Sequence, residues 1–380
     1  MVILGASARS AAWSAVRAGL LPAAADLYAD RDLRAVAGCT RVPAESYPER
    51  LVAAAQGFPP GPWLYTGALE NRPDLIARVA SSRPLWGNDA AAVRAVRDPL
   101  ALADALRTAG LHAPDARLDA SGLPRDGSWL RKPLASAGGV GIEPLRAETR
   151  LTHTGSSDYY QKWVRGTSLS ALFVGWGGAA RTAGVTRQFV GRRGAEFAYR
   201  GSLFLDPVGG DLARRIEAVG RAVASRFGLV GLFGVDLILG TDGTPWAVEV
   251  NPRYTASVEV IELSLGRALM TDHRLACEGL PLGPPGRGEG AALRFVAKEI
   301  VFADSPCVFP GEPVAFEPRG RDAFRVPRCA DLPDPGTILA AGDPVMTVFG
   351  VGANPGAALR DAAETRETWR GRLAGEAPTG

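Results

Sequence analysis

Lysine is nearly absent from this 380-residue chain: of its 43 basic residues only Lys132, Lys162 and Lys298 are lysines. Other absences bound the function further. No apolar run approaches the roughly 18 to 20 residues of a membrane span. The first residues, Met1-Val2-Ile3-Leu4-Gly5, already read as a strand entering a turn, with no basic leader and no cleavage site before them. The expected location is therefore cytoplasmic, with no membrane partner. Four cysteines, Cys39, Cys277, Cys307 and Cys329, are scattered without a C-x-x-C pair, which argues for free thiols over a disulfide framework or a zinc site. His112, His153 and His273 are isolated from one another, so a histidine-based metal centre is not expected. A net charge of only +3, spread along the chain, gives no reason to expect nucleic acid as partner.

What is present reads as a globular enzyme. Hydrophobic residues make up 46% and charged residues 22% of a chain too long for one core, so two or three domains are expected. The arginine excess fits a coding bias. Against it, lysine is expected to persist where a compact ammonium is needed and a planar guanidinium will not fit.

The first ninety residues alternate strand and helix. Val2–Leu4, Pro22–Asp26 and Trp63–Tyr65 read as strands and Ala8–Ala18 as a small-residue helix, a rhythm that implies an open parallel sheet. Gly5-Ala6-Ser7-Ala8-Arg9-Ser10 fills the first strand-to-helix turn, with Asp26 twenty-one residues after Gly5. That imitates a dinucleotide fingerprint, but two of its three glycines are missing. Asn88 to Gly110 has helical spacing, and a Gly/Asp/Pro-rich connection follows as far as Ser128. Strands are expected from Tyr159 to about Phe204, and an amphipathic helix over Asp211–Phe227. Gly231–Leu239 and Pro245–Val250 should form a hairpin around Asp242-Gly243. Residues 280–290 read as a linker, followed by strands at 293–302 and 344–349 and a closing helix from Pro355.

Three constellations carry chemistry. Asp236 and Glu249 stand thirteen residues apart on strands joined by a tight turn, and Asn251 shares Glu249's face because strand side chains alternate. Two carboxylates and an amide oxygen suit magnesium, whose other positions take phosphate oxygens and water. Apolar neighbours Val235, Leu237, Val248 and Val250 make solvated acids an awkward alternative. Next, the strand Trp129–Pro133 delivers Lys132, and Ser136, Gly138, Gly139 and Gly141 follow. Glycines there let backbone amides approach phosphate oxygens. The lysine precedes the glycines, so this is not a Walker A loop; alone, it reads equally as a glycine-rich hairpin with a surface lysine. The third is Tyr159-Tyr160-Gln161-Lys162-Trp163-Val164-Arg165-Gly166-Thr167-Ser168, a strand able to offer backbone groups to an adenine edge.

In this order the three resemble the ATP-grasp superfamily over about residues 90–285. The resemblance implies that Asp236, Glu249 and Asn251 hold magnesium and that Lys132 contacts ATP phosphate. It implies further that Ser136, Gly138, Gly139 and Gly141 cover the phosphates, that Gln161, Lys162, Trp163 and Val164 hold adenine, and that Arg253 steadies the transferred phosphoryl group. Ser168 stands where the family often has the ribose-binding acid and is grouped with the nucleotide contacts. Arg97 stands where the family has an earlier lysine, and Gly234 where D-alanine ligases have an arginine. The stretch Gly342–Gly350 with the helix after it is similar to the tail of biotin carboxylases.

The expected fold is mixed α/β and α+β: an N-terminal open parallel-sheet domain over 1–90, an ATP-grasp unit over 91–285 and a small strand-rich C-terminal lobe over 286–380. The expected activity is a carboxylate–amine ligase that uses ATP and Mg2+, passes through an acyl phosphate and releases ADP and phosphate. Its partners would be small-molecule carboxylate and amine substrates, with a homodimer as one assembly option. Two alternatives stand beside it: a nicotinamide-dependent oxidoreductase built on residues 1–90, and an ATP-binding regulatory protein without turnover. Segment 184–203, with Arg187, Gln188, Arg192, Arg193, Tyr199, Arg200 and Ser202, reads either as a surface for an anionic substrate or as a solvated face.

Overall fold

A computed structural model describes residues 1–149, 157–192, 194–205, 208–311 and 323–375. Val2–Leu4, Ala23–Asp26, Gly38–Arg41 and Trp63–Tyr65 form a four-stranded sheet in which Val2–Leu4 pairs parallel with both Ala23–Asp26 and Trp63–Tyr65. Val2, Ile3 and Leu4 are all buried, as expected of strands covered by helices on both faces. Helix Arg9–Arg17 follows the first strand.

The run from Asn88 to Gly110 is two helices, Ala90–Val96 and Pro99–Thr108, and not one. Asp98 accepts hydrogen bonds from the backbone N–H groups of Leu100 and Ala101, and Pro99 takes the first helical position, so the second helix is capped where the first stops. Arg97 is left in the break.

A small sheet of Ala116–Arg117, Asp158–Lys162, Asp126–Pro133 and Glu143–Arg146 carries Lys132 and the glycine-rich loop. Its last strand, Glu143–Arg146, has no signature in the sequence. The main sheet is antiparallel and eight-stranded. It runs from the hairpin Pro245–Asn251 and Gly231–Leu239 through Thr167–Trp176, Ala179–Arg192 and Ala195–Leu205 to Phe295–Phe302, Pro344–Gly352 and Cys329–Ala330. The C-terminal strands thus continue the central sheet, with Gly201 paired to Glu299.

Helix Gly210–Phe227 lies against this sheet, with Gly220 set against the Phe173 ring. The Phe173 ring stacks on Phe233 with centroids 5.2 Å apart, so it cannot retreat freely. Helix Ser257–Leu265 is buried on all sides, packed against the main sheet and against helix Arg9–Arg17. Among the described residues no helix is long and apolar enough to cross a membrane.

A methyl group on Gly220 would fall 2.2 Å from Phe173 Cδ1. Gly220→Ala is therefore expected to destabilise the fold by about 1–3 kcal/mol through overpacking, despite alanine's better helix propensity. Chemical denaturation tests this; a neutral or stabilised variant would mean the helix sits farther from the sheet.

Candidate functional site

The hairpin builds the centre of the site. Asp236 stands directly opposite Glu249, and Asn251 opposite Gly234, so the three side chains share one face. Register slips between Asp236 and Leu237, which leaves Val248 as the extra residue of a bulge. Gln161 Nε2 donates to the Val248 carbonyl at 3.2 Å, tying the small sheet to the bulge. Gly234 has no room for a side chain: a Cβ there would lie 2.9 Å from Thr255 Cγ2.

Asp236 is held by neutral donors. Gln188 Nε2 donates to its Oδ1 and Asn251 Nδ2 to its Oδ2, each at 3.0 Å. Ser168 Oγ in turn donates to Gln188 Oε1 at 3.0 Å. Ser168 thus supports the acid cluster through Gln188, a link that nothing in the sequence signals. Burial first, and then the Glu249 carboxylate, push the Asp236 carboxyl up to about 6 against these hydrogen bonds. Two carboxylates thus face each other, one of them disfavoured in its charged form. Among the described residues no three His, Cys, Asp or Glu side chains gather as a metal cluster, so the donor set here is two acids and an amide. Oxygen donors of this kind suit a hard divalent ion.

Lys132 is only 5% exposed, and its Nζ lies 3.1 Å from Gln161 Oε1 and 5.3 Å from the Tyr159 ring centroid. Burial alone would depress its pKa, but Tyr159, Glu249 and Asp236 outweigh that and raise it. Its ammonium is thus held in the charged form. Arg253 Nη2 donates to Glu70 Oε1 at 2.6 Å and to Asn251 Oδ1 at 3.1 Å. Burial likewise works against its charge and Glu70 overcomes it.

A cavity of about 460 Å³ opens over these groups, within the usual range for small-molecule sites. Lys132, Gly138, Gly139, Gln161, Lys162, Trp163, Val164, Ser168, Asp236, Glu249, Asn251 and Arg253 all line it. Ser136 lines instead a small adjoining space with Arg97 and Glu249, and Gly141 lines neither. The glycine loop is pinned down: Tyr199 N donates to the Gly138 carbonyl at 2.8 Å, and at Gly139 (φ +75°) a Cβ would fall 2.0 Å from the Phe197 carbonyl oxygen. The N–H groups of Lys162 and Trp163 are spent on the carbonyls of Asp115 and Ser128. The Lys162 ammonium sits over the Trp129 ring, and its side chain is exposed. Apolar Leu130, Ile142 and Ile238 and the acid Glu196, none singled out in the sequence, also line it, as does Val248.

The 184–203 segment divides. Gln188, Tyr199 and Ser202 line the cavity. Its described arginines do not: Arg187 lies over Phe189, Arg192 over Phe302 with a bond to the Gly342 carbonyl, and Arg200 pairs with Glu299. Arg193 lies outside the described residues. The Gly5–Ser10 turn is likewise structural. Asp26, the acid a nicotinamide ribose would need, spends its carboxylate on the N–H groups of Ala8, Tyr28 and Ala29.

A hairpin bearing two acids and an amide, a lysine-bearing small sheet and the cavity over them make up the candidate site. Residues 96–257 match the family model of the ATP-grasp domain, so the chain carries an ATP-grasp domain over that span. No curated protein matches the sequence. Among solved structures, the chain is similar to biotin carboxylase from Campylobacter jejuni in its β-γ-ATP complex (TM-score 0.70, 14% identity, 98% of this chain and 95% of that one). It is similar to the biotin carboxylase domain dimer of 2-oxoglutarate carboxylase from Hydrogenobacter thermophilus, solved with MgADP, ADP and bicarbonate (0.70, 14%, 96% and 89%). It is also similar to an L-amino acid ligase from Bacillus licheniformis (0.65, 15%, 99% and 97%). At these identities the likeness establishes the fold.

A carboxyl whose pKa is raised by folding costs stability once ionised, so that cost sets in as pH rises from the ordinary 3.8 through about 6 and then levels off. Asp236→Asn is expected to flatten that part of the pH profile relative to wild type and to raise the ligand-free midpoint at pH 7.5 by about 2–4 °C. Thermal melts from pH 4 to 8 measure this, and an unchanged slope would mean that Asp236 ionises normally.

Proposed function

We propose that this protein is an ATP- and magnesium-dependent ligase that activates a carboxylate as an acyl phosphate for attack by an amine or similar nucleophile. The observation that carries the reading is the convergence of Asp236, Glu249 and Asn251 with Lys132 and Arg253 on one cavity. Asp236, Glu249 and Asn251 would hold magnesium, which when bound neutralises phosphate charge. Lys132 and the loop at Gly138 and Gly139 would hold the phosphates, with Ser136 and Gly141 supporting that loop from outside the cavity. Gln161 to Val164 would receive adenine beside Leu130, Ile142 and Ile238. Ser168 and Glu196 would bear on the ribose side. The domain division at about residues 90 and 285 belongs to the same reading. A homodimer is favoured by the dimeric biotin carboxylase domain of H. thermophilus alone.

In the first step a carboxylate oxygen forms a bond to the γ-phosphorus as the bond to the β,γ-bridging oxygen breaks, its electron pair leaving with ADP. The nucleophile then attacks the carbonyl carbon, and phosphate departs with the carbon–oxygen electron pair. The chain's own residues orient and stabilise charge: Lys132 and Arg253 offer fixed positive charge where negative charge moves. No side-chain nucleophile is required.

Three measurements test this. With a panel of small acids, ATP, magnesium and hydroxylamine, the active acid should yield ADP together with a hydroxamate. AMP with hydroxamate would point to adenylation, and ADP without hydroxamate to a kinase. Glu249→Gln should fold normally yet lose magnesium-dependent turnover, by about 10²-fold or more, since a neutral amide weakens a hard-cation site. Lys132→Arg should bind ATP poorly although the charge is kept, because a guanidinium is broader than the space an ammonium fills. Tight ATP binding by that variant would remove Lys132 from the site.

A further inference from the structure

Two arginines approach the acid–asparagine cluster, one at Glu249 and one at Asn251. Arg97, in the break between helices Ala90–Val96 and Pro99–Thr108, has Nη1 3.8 Å from Glu249 Oε1. Arg253 has Nη2 3.1 Å from Asn251 Oδ1. Between them stands Glu70, 1% exposed, on the turn after the last strand of the N-terminal sheet. Its Oε1 accepts from Arg253 Nη2 at 2.6 Å and lies 3.9 Å from Arg97 Nη1. Arg97 Nη2 is committed elsewhere, to Asn71 Oδ1 at 2.8 Å and the Leu134 carbonyl at 3.0 Å. The start of the glycine-rich loop is thereby tied to the same turn as Glu70.

What this arrangement leaves over is informative. Among the described residues, Arg97 Nη1, Arg253 Nε and Glu70 Oε2 are buried without a hydrogen-bond partner. The oxygens at 3.8 and 3.9 Å from Arg97 Nη1 are beyond hydrogen-bond range. Buried charged N–H groups left unmade are costly, and in a native protein they call for a partner that the chain does not itself provide. As placed, Glu70 satisfies neither orphan donor: its Oε1 bonds Arg253 Nη2 and lies 3.9 Å from Arg97 Nη1, and its Oε2 has no partner. Two guanidinium N–H donors beside a magnesium-suited cluster fit an anion whose charge is spread over several oxygens. In an in-line phosphoryl transfer, that anion is the group in flight.

We propose that Glu70 is a positioning residue of this site, holding Arg97 and Arg253 apart so that Arg97 Nη1 and Arg253 Nε together receive the transferring phosphoryl group. The proposal rests on the ATP-ligase reading above. Glu70 touches neither nucleotide nor acid and acts through the two arginines. Because it comes from the N-terminal sheet, the receptacle is complete only while that sheet is docked against the hairpin.

The test compares MgADP binding with and without fluoroaluminate, a planar mimic of the phosphoryl group in transfer, read by tryptophan fluorescence or calorimetry. Wild type should bind MgADP at least about tenfold more tightly when fluoroaluminate is present. Glu70→Gln should keep MgADP affinity within about twofold but lose that gain, a split that a merely structural defect would not give. Arg97→Gln should lose the gain too, and it carries the test alone if Glu70→Gln melts early. A gain retained in Glu70→Gln and in Arg97→Gln overturns the proposal, as does a wild type that binds MgADP with no gain. A wild type that does not bind MgADP at all overturns the ATP reading itself and this proposal with it.

Discussion

Arg9, the arginine of the first strand-to-helix turn, runs beneath helix Ser257–Leu265 and pairs with Glu259 through both terminal nitrogens. The same guanidinium reaches Asp331 and lies 3.5 Å from Asp32, and Lys298 approaches Glu259 from the other side at 3.4 Å. All of these charges except part of Asp331 are buried, so each is tolerable only while its partners are in place. Arg17 and Ser14 repeat the arrangement one turn along on Glu262. The acids outnumber the bases, and Asp30 yields: burial, with Asp331 and Asp32 nearby, pushes its carboxyl up to about 9, so it stays protonated near neutrality. Segments some 250 and 320 residues apart in the chain are locked together in this way. Arg253, Tyr254 and Thr255 lead directly into the clamped helix, so the N-terminal sheet and the acid hairpin are held in one relative position. Tyr65 and Asn88 reinforce the seam by donating to the Pro252 carbonyl.

The centre of the site was legible because its geometry is local. An Asp-Gly turn between two apolar-flanked acids fixes which residues face each other, and the register bears this out with Asp236 opposite Glu249. The order of lysine, glycines, strand and acids made the ATP-grasp plan readable, and the family model matches over 96–257. The helix break at Arg97-Asp98-Pro99 carries a local signal too, an N-cap acid followed by proline, inside a run whose apolar spacing is helical throughout.

What was not legible depends on contacts between distant segments. Gln188 and Ser168 reach Asp236 as a relay across three strands, and Glu70 arrives from the turn that follows the N-terminal sheet. The arginines of 184–203 looked like a binding surface in a list of residues, yet aromatic rings and Glu299 occupy those that the structure describes. Lysine scarcity proved partly informative: Lys132 and Lys298 are buried among acids or acceptors, whereas Lys162 lies on the surface against Trp129.

Strand Ala195–Leu205 bears Glu196, Tyr199 and Ser202 on the cavity wall, and its far half is laminated to Phe295–Phe302. The join is intimate, since a Cβ on Gly201 would fall 2.3 Å from the Lys298 carbonyl oxygen. A chain cut at the proline- and glycine-rich loop of residues 280–290 would keep every motif by which an ATP site is recognised. It would also end in a raw strand edge where that wall should be, with the unpaired backbone that invites strand-to-strand aggregation. The stretch that spells out the chemistry is thus shorter than the piece of polypeptide able to fold around it.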